Sequence, residues 1–195
     1  MKKGTIIAII AAAAVLVVLF AGFGVFSVGA NGYNTLVAAE AEVDEKAGTI
    51  DVMLTRRADL IPNLVSTVKA YAKHETEVYT AIADARAKLA GSTTIEDKAA
   101  ANSELDSALS RLLVVVEQYP ELKASEQFIA LQDQLEGSEN RISTARTDYN
   151  NAVKTYNTKL RTFPSNLIAG LFGFEARAMY QADPADQDAP VVDFE

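Results

Sequence analysis

Apolar and polar positions recur on a helical period along nearly the whole chain. From Leu36 onward the apolar residues step by three and four: Leu36, Val43, Ala47, Ile50, Leu54, Ile61, Leu64, Val68, Tyr71, Val78, Ile82, Ala85 and Leu89. Polar side chains occupy a few stops of this seam, at Glu40, Arg57 and Glu75. Such spacing belongs to long helices packed close to parallel. At Gly91-Ser92-Thr93-Thr94 the pattern breaks, since Gly91 suits a helix C-terminus and Thr94 an N-cap. A second run through Ile95, Ala99, Leu105, Leu109, Leu112 and Val116 stops before Pro120. A last one extends from about Leu122 to Phe163 through Phe128, Leu131, Leu135, Ile142, Ala145, Tyr149, Ala152 and Tyr156. Strand signals are nearly absent. The expected fold is all-α, an antiparallel bundle of long helices in three to four helical segments.

Pro62 leaves two routes open. Asp59 can cap a new helix whose first turn tolerates the proline, which gives a hairpin and four antiparallel helices. Alternatively Pro62 only kinks one very long helix by freeing the carbonyl of Ala58. The seam crosses Pro62 without losing phase, which favours the kink.

The first thirty residues follow a different pattern. Residues 5–28 carry no charge and are largely apolar, directly after Lys2 and Lys3. Twenty-four residues at about 1.5 Å each make a helix of about 36 Å, enough to cross a hydrocarbon core of about 30 Å. A transmembrane helix is expected here. Beyond it come Glu40, Glu42, Asp44 and Glu45 before the next base, Lys46. That asymmetry places the N-terminus in the cytoplasm and the rest outside. Val28-Gly29-Ala30 resembles a signal cleavage site, but the apolar stretch is longer than a signal's, which favours an uncleaved anchor. The expected organisation is a cytoplasmic stub and anchor over 1–30, a helical bundle over 31–175, and an acidic, disordered tail over 176–195.

Composition narrows the chemistry. The 195 residues carry a net charge of −8, which argues against a nucleic-acid partner. Without cysteine there is no disulfide, thiolate metal site or cysteine nucleophile. His74 is the one histidine, and His74-Glu75-Thr76-Glu77-Val78 lacks the second histidine of a zinc-protease helix. It is expected to be a half-exposed helix residue. No glycine-rich phosphate loop follows a strand. Neither a catalytic residue, a metal site nor a cofactor is expected.

Two stretches are more specific. Arg56-Arg57-Ala58-Asp59-Leu60-Ile61-Pro62-Asn63-Leu64-Val65 continues through Val68-Lys69-Ala70-Tyr71-Ala72-Lys73-His74-Glu75, with Tyr33-Asn34-Thr35-Leu36-Val37 ahead of it. Arg141-Ile142, Arg146, Tyr149-Asn150, Val153 and Tyr156-Asn157 precede Phe163-Pro164-Ser165-Asn166-Leu167-Ile168-Ala169 and Phe172-Gly173-Phe174. In this order the sequence resembles the LemA family over about residues 1–175. The resemblance implies a helical bundle behind one membrane span in a bacterial envelope. It implies no mechanism, because the family has no settled biochemical activity; some relatives are associated with membrane organisation, including magnetosome membranes.

Polar residues in these stretches form a candidate cluster: Arg56, Arg57, Asp59, Arg141, Arg146, Tyr149 and Asn150. Arg57 sits on the seam, so its guanidinium needs carboxylates or an exit at the bundle edge. Asp59 is a candidate partner for Arg141 or Arg146. Such a cluster fixes helix register or docks a protein. Tyr149-Asn150 and Tyr156-Asn157, seven apart, share a helical face, where tyrosine hydroxyls bonded to neighbouring asparagines would edge the core or line a ligand groove. Residues 163–174 are apolar beyond the last long helix. Leu167, Ile168, Leu171 and Phe172 there are expected to plug the bundle end, or else to form a membrane or partner patch. The function that fits these features is a single-pass, membrane-anchored envelope scaffold with an envelope protein as partner. A ligand-binding or sensor domain with an inter-helical groove is the alternative.

Overall fold

A computed structural model describes the backbone of residues 3–181; of the side chains before Gly29, those of Leu16, Phe20 and Ser27 are described. Among the described residues there are six helices and no strand: α1 (Lys3–Lys69), α2 (Thr76–Gly91), α3 (Ile95–Val116), α4 (Pro120–Lys123), α5 (Glu126–Arg161) and α6 (Ser165–Phe172). The all-α expectation holds. Among those residues no helix is long and apolar enough to cross a membrane, so the expected transmembrane helix is not supported. Residues 5–28 are helical as part of α1, but most of their side chains lie outside the described residues. The acidic stretch 182–195 also lies outside them.

The described residues fall into two compact units, one within 1–42 and 154–177, the other within 43–153 and 178–195. The larger unit is a bundle of four long helical segments, with the single turn of α4 between the last two. Its core is the predicted seam: Val43, Ile50, Leu54, Ile61, Leu64 and Val68 of α1 are buried, with Ile82 and Leu89 of α2, Leu105 and Leu112 of α3, and Phe128 and Ile142 of α5. Directions follow from contacts. Asp51 meets Lys98 and Arg57 meets Asn102, so α1 and α3 run the same way. Ala58 meets Arg86 and Lys69 meets Tyr79, so α2 runs back between them. Short connections then set neighbours antiparallel.

Each route drawn for Pro62 holds half of the answer. Helix α1 continues through Pro62, so the proline starts no hairpin; the chain reverses instead at 70–75, before α2. Tyr71 N–H (3.0 Å) and Ala72 N–H (2.9 Å) donate to the Val68 carbonyl and close α1; the Tyr79 hydroxyl donates to the Ala72 carbonyl. His74 therefore lies exposed in the turn, not on a helix. The proline does free the Ala58 carbonyl. Arg86 of α2 fills the gap, its Nε donating to that oxygen at 3.0 Å. An orphaned buried carbonyl costs about 1 to 3 kcal/mol, and Arg86 removes that cost without interrupting the helix.

The other boundaries follow their local signals. Thr94 caps α3 by accepting from Asp97 N–H at 3.1 Å, with Glu96 and Asp97 in the positive first turn. Pro120 opens the single turn of α4.

In the smaller unit, Leu36 and Ala39 of α1, Tyr156 of α5 and Ala169 of α6 are buried. Gly173, at φ 74°, adopts the left-handed conformation that ends α6, and Phe174 N–H donates to the Ala169 carbonyl at 3.1 Å. Helix α6 does not act as the expected plug. Leu167, Leu171 and Phe172 are 63, 76 and 58% exposed; Ala169 is buried and Ile168 partly so.

Candidate functional site

Arg57 interrupts the apolar seam of α1, and the larger unit is built to receive it. The side chain is 7% exposed. Its Nη1 donates to Asn102 Oδ1 of α3 at 3.1 Å and lies 2.7 Å from Glu139 Oε2 of α5; its Nη2 lies 2.5 Å from Asp106 Oδ1 of α3. Asn102 Nδ2 in turn donates to Asp106 Oδ2 at 2.8 Å. One guanidinium thus ties three helices. Glu139 reaches a second cation, Arg146, at 3.7 Å. The fixed fork of arginine matches this arrangement, which a lysine could not fill.

The network continues to the chain beyond α6. Arg146 lies over the Tyr180 ring, 4.7 Å from its centroid. Burial raises the Tyr180 pKa, opposed by Arg146 and reinforced by Asp106 and Glu139. Asn150 holds Tyr180 by both backbone groups, its Nδ2 donating to the carbonyl at 3.0 Å and its Oδ1 accepting from N–H at 2.8 Å. The Tyr149 hydroxyl donates to the Ala178 carbonyl at 2.9 Å.

The second tyrosine–asparagine pair does the same within the smaller unit. The Tyr156 hydroxyl donates to the Glu175 carbonyl at 3.0 Å, and Asn157 grips Arg177 through its carbonyl (2.8 Å) and N–H (3.0 Å). The two grips repeat every seven residues on α5 and every three on the extended segment. These pairs bind the chain's own backbone.

Of the predicted cluster, the structure joins Arg57 to Arg146 through Glu139 and sets Tyr149 and Asn150 on the adjoining segment. Arg56, Asp59 and Arg141 are exposed and stand outside the network. Asn102, Asp106, Glu139 and Tyr180 complete it. Asn102 and Asp106 carry one signal, a polar pair four apart on one helix face, close to Leu105.

Two of the open cavities in the larger unit touch polar residues named above. One of ≈ 310 Å³ is lined by Asp51, Ala58, Asp59, Arg86 and Lys98. The other, ≈ 330 Å³, is lined by Arg57, Leu64, Asp106, Leu113 and Glu139. Neither is lined by the tyrosine–asparagine pairs. Among the described residues no three His, Asp or Glu side chains gather as a metal site.

The model of the LemA family matches residues 46–194, which takes in the arginine network and both grips. The chain belongs to the LemA family. Among its relatives are two proteins of Paramagnetospirillum magneticum, magnetosome proteins MamQ 1 and MamQ 2. Each is 30% identical over 187 residues, covering 82% of this chain and 68% of the relative. Protein LemA of Metamycoplasma hominis is 26% identical over 159 residues, 79% of this chain and 71% of its own. Within this LemA-family chain the Arg57 network ties helix to helix and the grips hold the chain's own backbone, so both are internal fastenings.

Proposed function

We propose that this LemA-family chain is a single-pass, membrane-anchored bundle serving as a non-catalytic scaffold in a bacterial envelope. The N-terminus lies in the cytoplasm, and the helical units project from the outer face of the membrane to hold another envelope protein. The observation that carries the reading is the run of uncharged residues 5–28 behind Lys2 and Lys3. Two relatives carry the name magnetosome protein, which adds support. A bundle whose central charge is matched by Asn102, Asp106 and Glu139 suits a rigid spacer better than a reaction centre.

The test has two arms in cells whose outer layer has been made permeable. Added protease should digest the chain beyond about residue 31 and spare the N-terminus. Proximity labelling from the C-terminus should recover the same envelope protein in repeated experiments. Protection of the whole chain would overturn the topology, and the absence of any reproducible neighbour would overturn the scaffold role.

A further inference from the structure

Helix α6 inverts the usual disposition of an amphipathic element. Its smaller apolar side chain, Ala169, is buried, whereas Leu167, Leu171 and Phe172 are exposed, with Phe163 (76%) just ahead of them. Leu167 and Leu171 are four apart and share a face. Among the described residues nothing covers that face.

Its position within the smaller unit says what does. Ile168 packs on the glycines of α1: a Cβ at Gly32 would sit 3.2 Å from Ile168 Cγ1, and one at Gly29 3.8 Å from Ile168 Cδ1. Tyr33 packs on two aromatic rings at the end of α6, Phe172 at 4.8 Å and Phe174 at 5.7 Å between centroids. Gly29 and Gly32 follow Val28, the last residue of the strongly apolar stretch 5–28, by one and four positions. At about 1.5 Å per residue, α6 is fastened within about 6 Å of the end of that stretch. On the stretch itself Leu16 and Phe20 are exposed. Tyr33, Phe172 and Phe174 gather at this junction, and α5 ends in Lys159 and Arg161 a few residues before α6 in the chain. Aromatic rings and bases at that level suit a headgroup region.

We propose that α6 lies in the outer headgroup layer of the bilayer, its Leu167, Leu171 and Phe172 side chains entering the upper acyl region. Together with α1 it forms a two-point membrane contact: one helix crosses and the other lies flat at its exit. The inference rests on the anchor reading for its geometry, yet its readout is independent of it. Gly32 is small because α6 must approach α1 there.

The chain contains no tryptophan, so single substitutions give clean fluorescent reporters. Full-length Leu171→Trp, Phe20→Trp and Val114→Trp variants are each reconstituted in vesicles of phosphatidylethanolamine and phosphatidylglycerol. The vesicles carry lipids brominated either high on the acyl chain or near the bilayer centre. Val114 is 66% exposed on α3 and reports the aqueous side. The Leu171→Trp variant should lose indole emission with the shallow bromine and the Phe20→Trp variant with the deep one, while the Val114→Trp variant loses none. A Leu167→Trp variant should repeat the behaviour of Leu171→Trp. Unquenched emission from both α6 variants, beside quenched emission from Phe20→Trp, would overturn the α6 proposal while the anchor stands. Quenching of Leu171→Trp without quenching of Phe20→Trp would support α6 and overturn the anchor. Quenching of Val114→Trp as strong as that of Leu171→Trp would overturn the proposal, since contact would then not be confined to α6.

Discussion

Arg57 and α6 break the same rule in opposite directions. In the larger unit a charge is buried, and in the smaller unit large apolar side chains are exposed. The chain answers the first breach from within: Asn102, Asp106 and Glu139 surround the guanidinium, so burial costs less than an unpaired charge would. It offers no full answer to the second: Leu167 and Leu171 are 63 and 76% exposed, and Phe172, with Tyr33 against its ring, is still 58% exposed. A residue matched inside its own unit is explained by the fold. One left unmatched points to something the fold is meant to meet.

The largest effect should come from the buried charge. Arg57→Ala leaves Asp106 without a cation and Glu139 with Arg146 at 3.7 Å, and unfolding by denaturant should show a loss of about 3 kcal/mol. That is the low end for a buried pair, because Asp106 and Glu139 remain about two-fifths exposed. The exposed Arg141→Ala should fall within about 0.5 kcal/mol of the parent. Replacing Arg57, Asn102, Asp106 and Glu139 together by leucine should recover part of the loss, since the buried polar cluster is then gone and Arg146, partly exposed, loses its Glu139 contact.

Next come the backbone grips. Asn150→Ala removes two hydrogen bonds to Tyr180 and should cost about 1 to 2 kcal/mol. The Tyr180 amide should then exchange with solvent faster, while amides of α2 keep their rates. Arg86→Ala should cost about 1 kcal/mol by orphaning the Ala58 carbonyl. In a Pro62→Ala background that cost should shrink, because residue 62 then supplies the missing N–H. A double-mutant cycle reads the difference.

A smaller contribution is pH-dependent. Burial holds the folded pKa of Tyr180 above its ordinary value near 10. The unfolded chain therefore loses this proton first, and stability should decline as pH rises above about 10, up to the folded pKa. Tyr180→Phe should flatten that decline. Smallest of all on stability should be Leu167→Ser with Leu171→Ser, within about 0.5 kcal/mol, because neither side chain is buried. A loss of several kcal/mol there would make α6 part of the core and collapse the contrast.

The helices and their core were legible because burial on a bundle demands an apolar residue every third or fourth position; Val43, Ile50, Ile61 and Leu105 follow that demand. The first hairpin was not. Residues 70–75 contain neither glycine nor proline, and the seam keeps phase from Val68 through Tyr71 and Glu75 to Val78. Tyr71 is 44% exposed, and Ala72 takes the buried place. A turn closed by two N–H groups on one carbonyl leaves no compositional mark. The network was legible at Arg57, whose position on the seam required partners. Asp59, expected to meet Arg141 or Arg146, stays exposed outside the network, and the partners of Arg57 come from α3 and α5, where Asp106 and Glu139 look like ordinary surface acids. The tyrosine–asparagine pairs stood out by their spacing, but their target is backbone. Backbone has no sequence signature.

The most direct measurement of the contrast is amide hydrogen exchange of the full-length protein in lipid vesicles, compared with its Leu167→Ser/Leu171→Ser/Phe172→Ser variant in the same vesicles. Exchange in the variant should be faster at residues 163–174 alone, with α3 and the Arg57-bearing turns of α1 unchanged. Acceleration spread equally through α3 and α5 would mean that α6 supports the core, and unchanged exchange at 163–174 would mean that its apolar face meets no membrane.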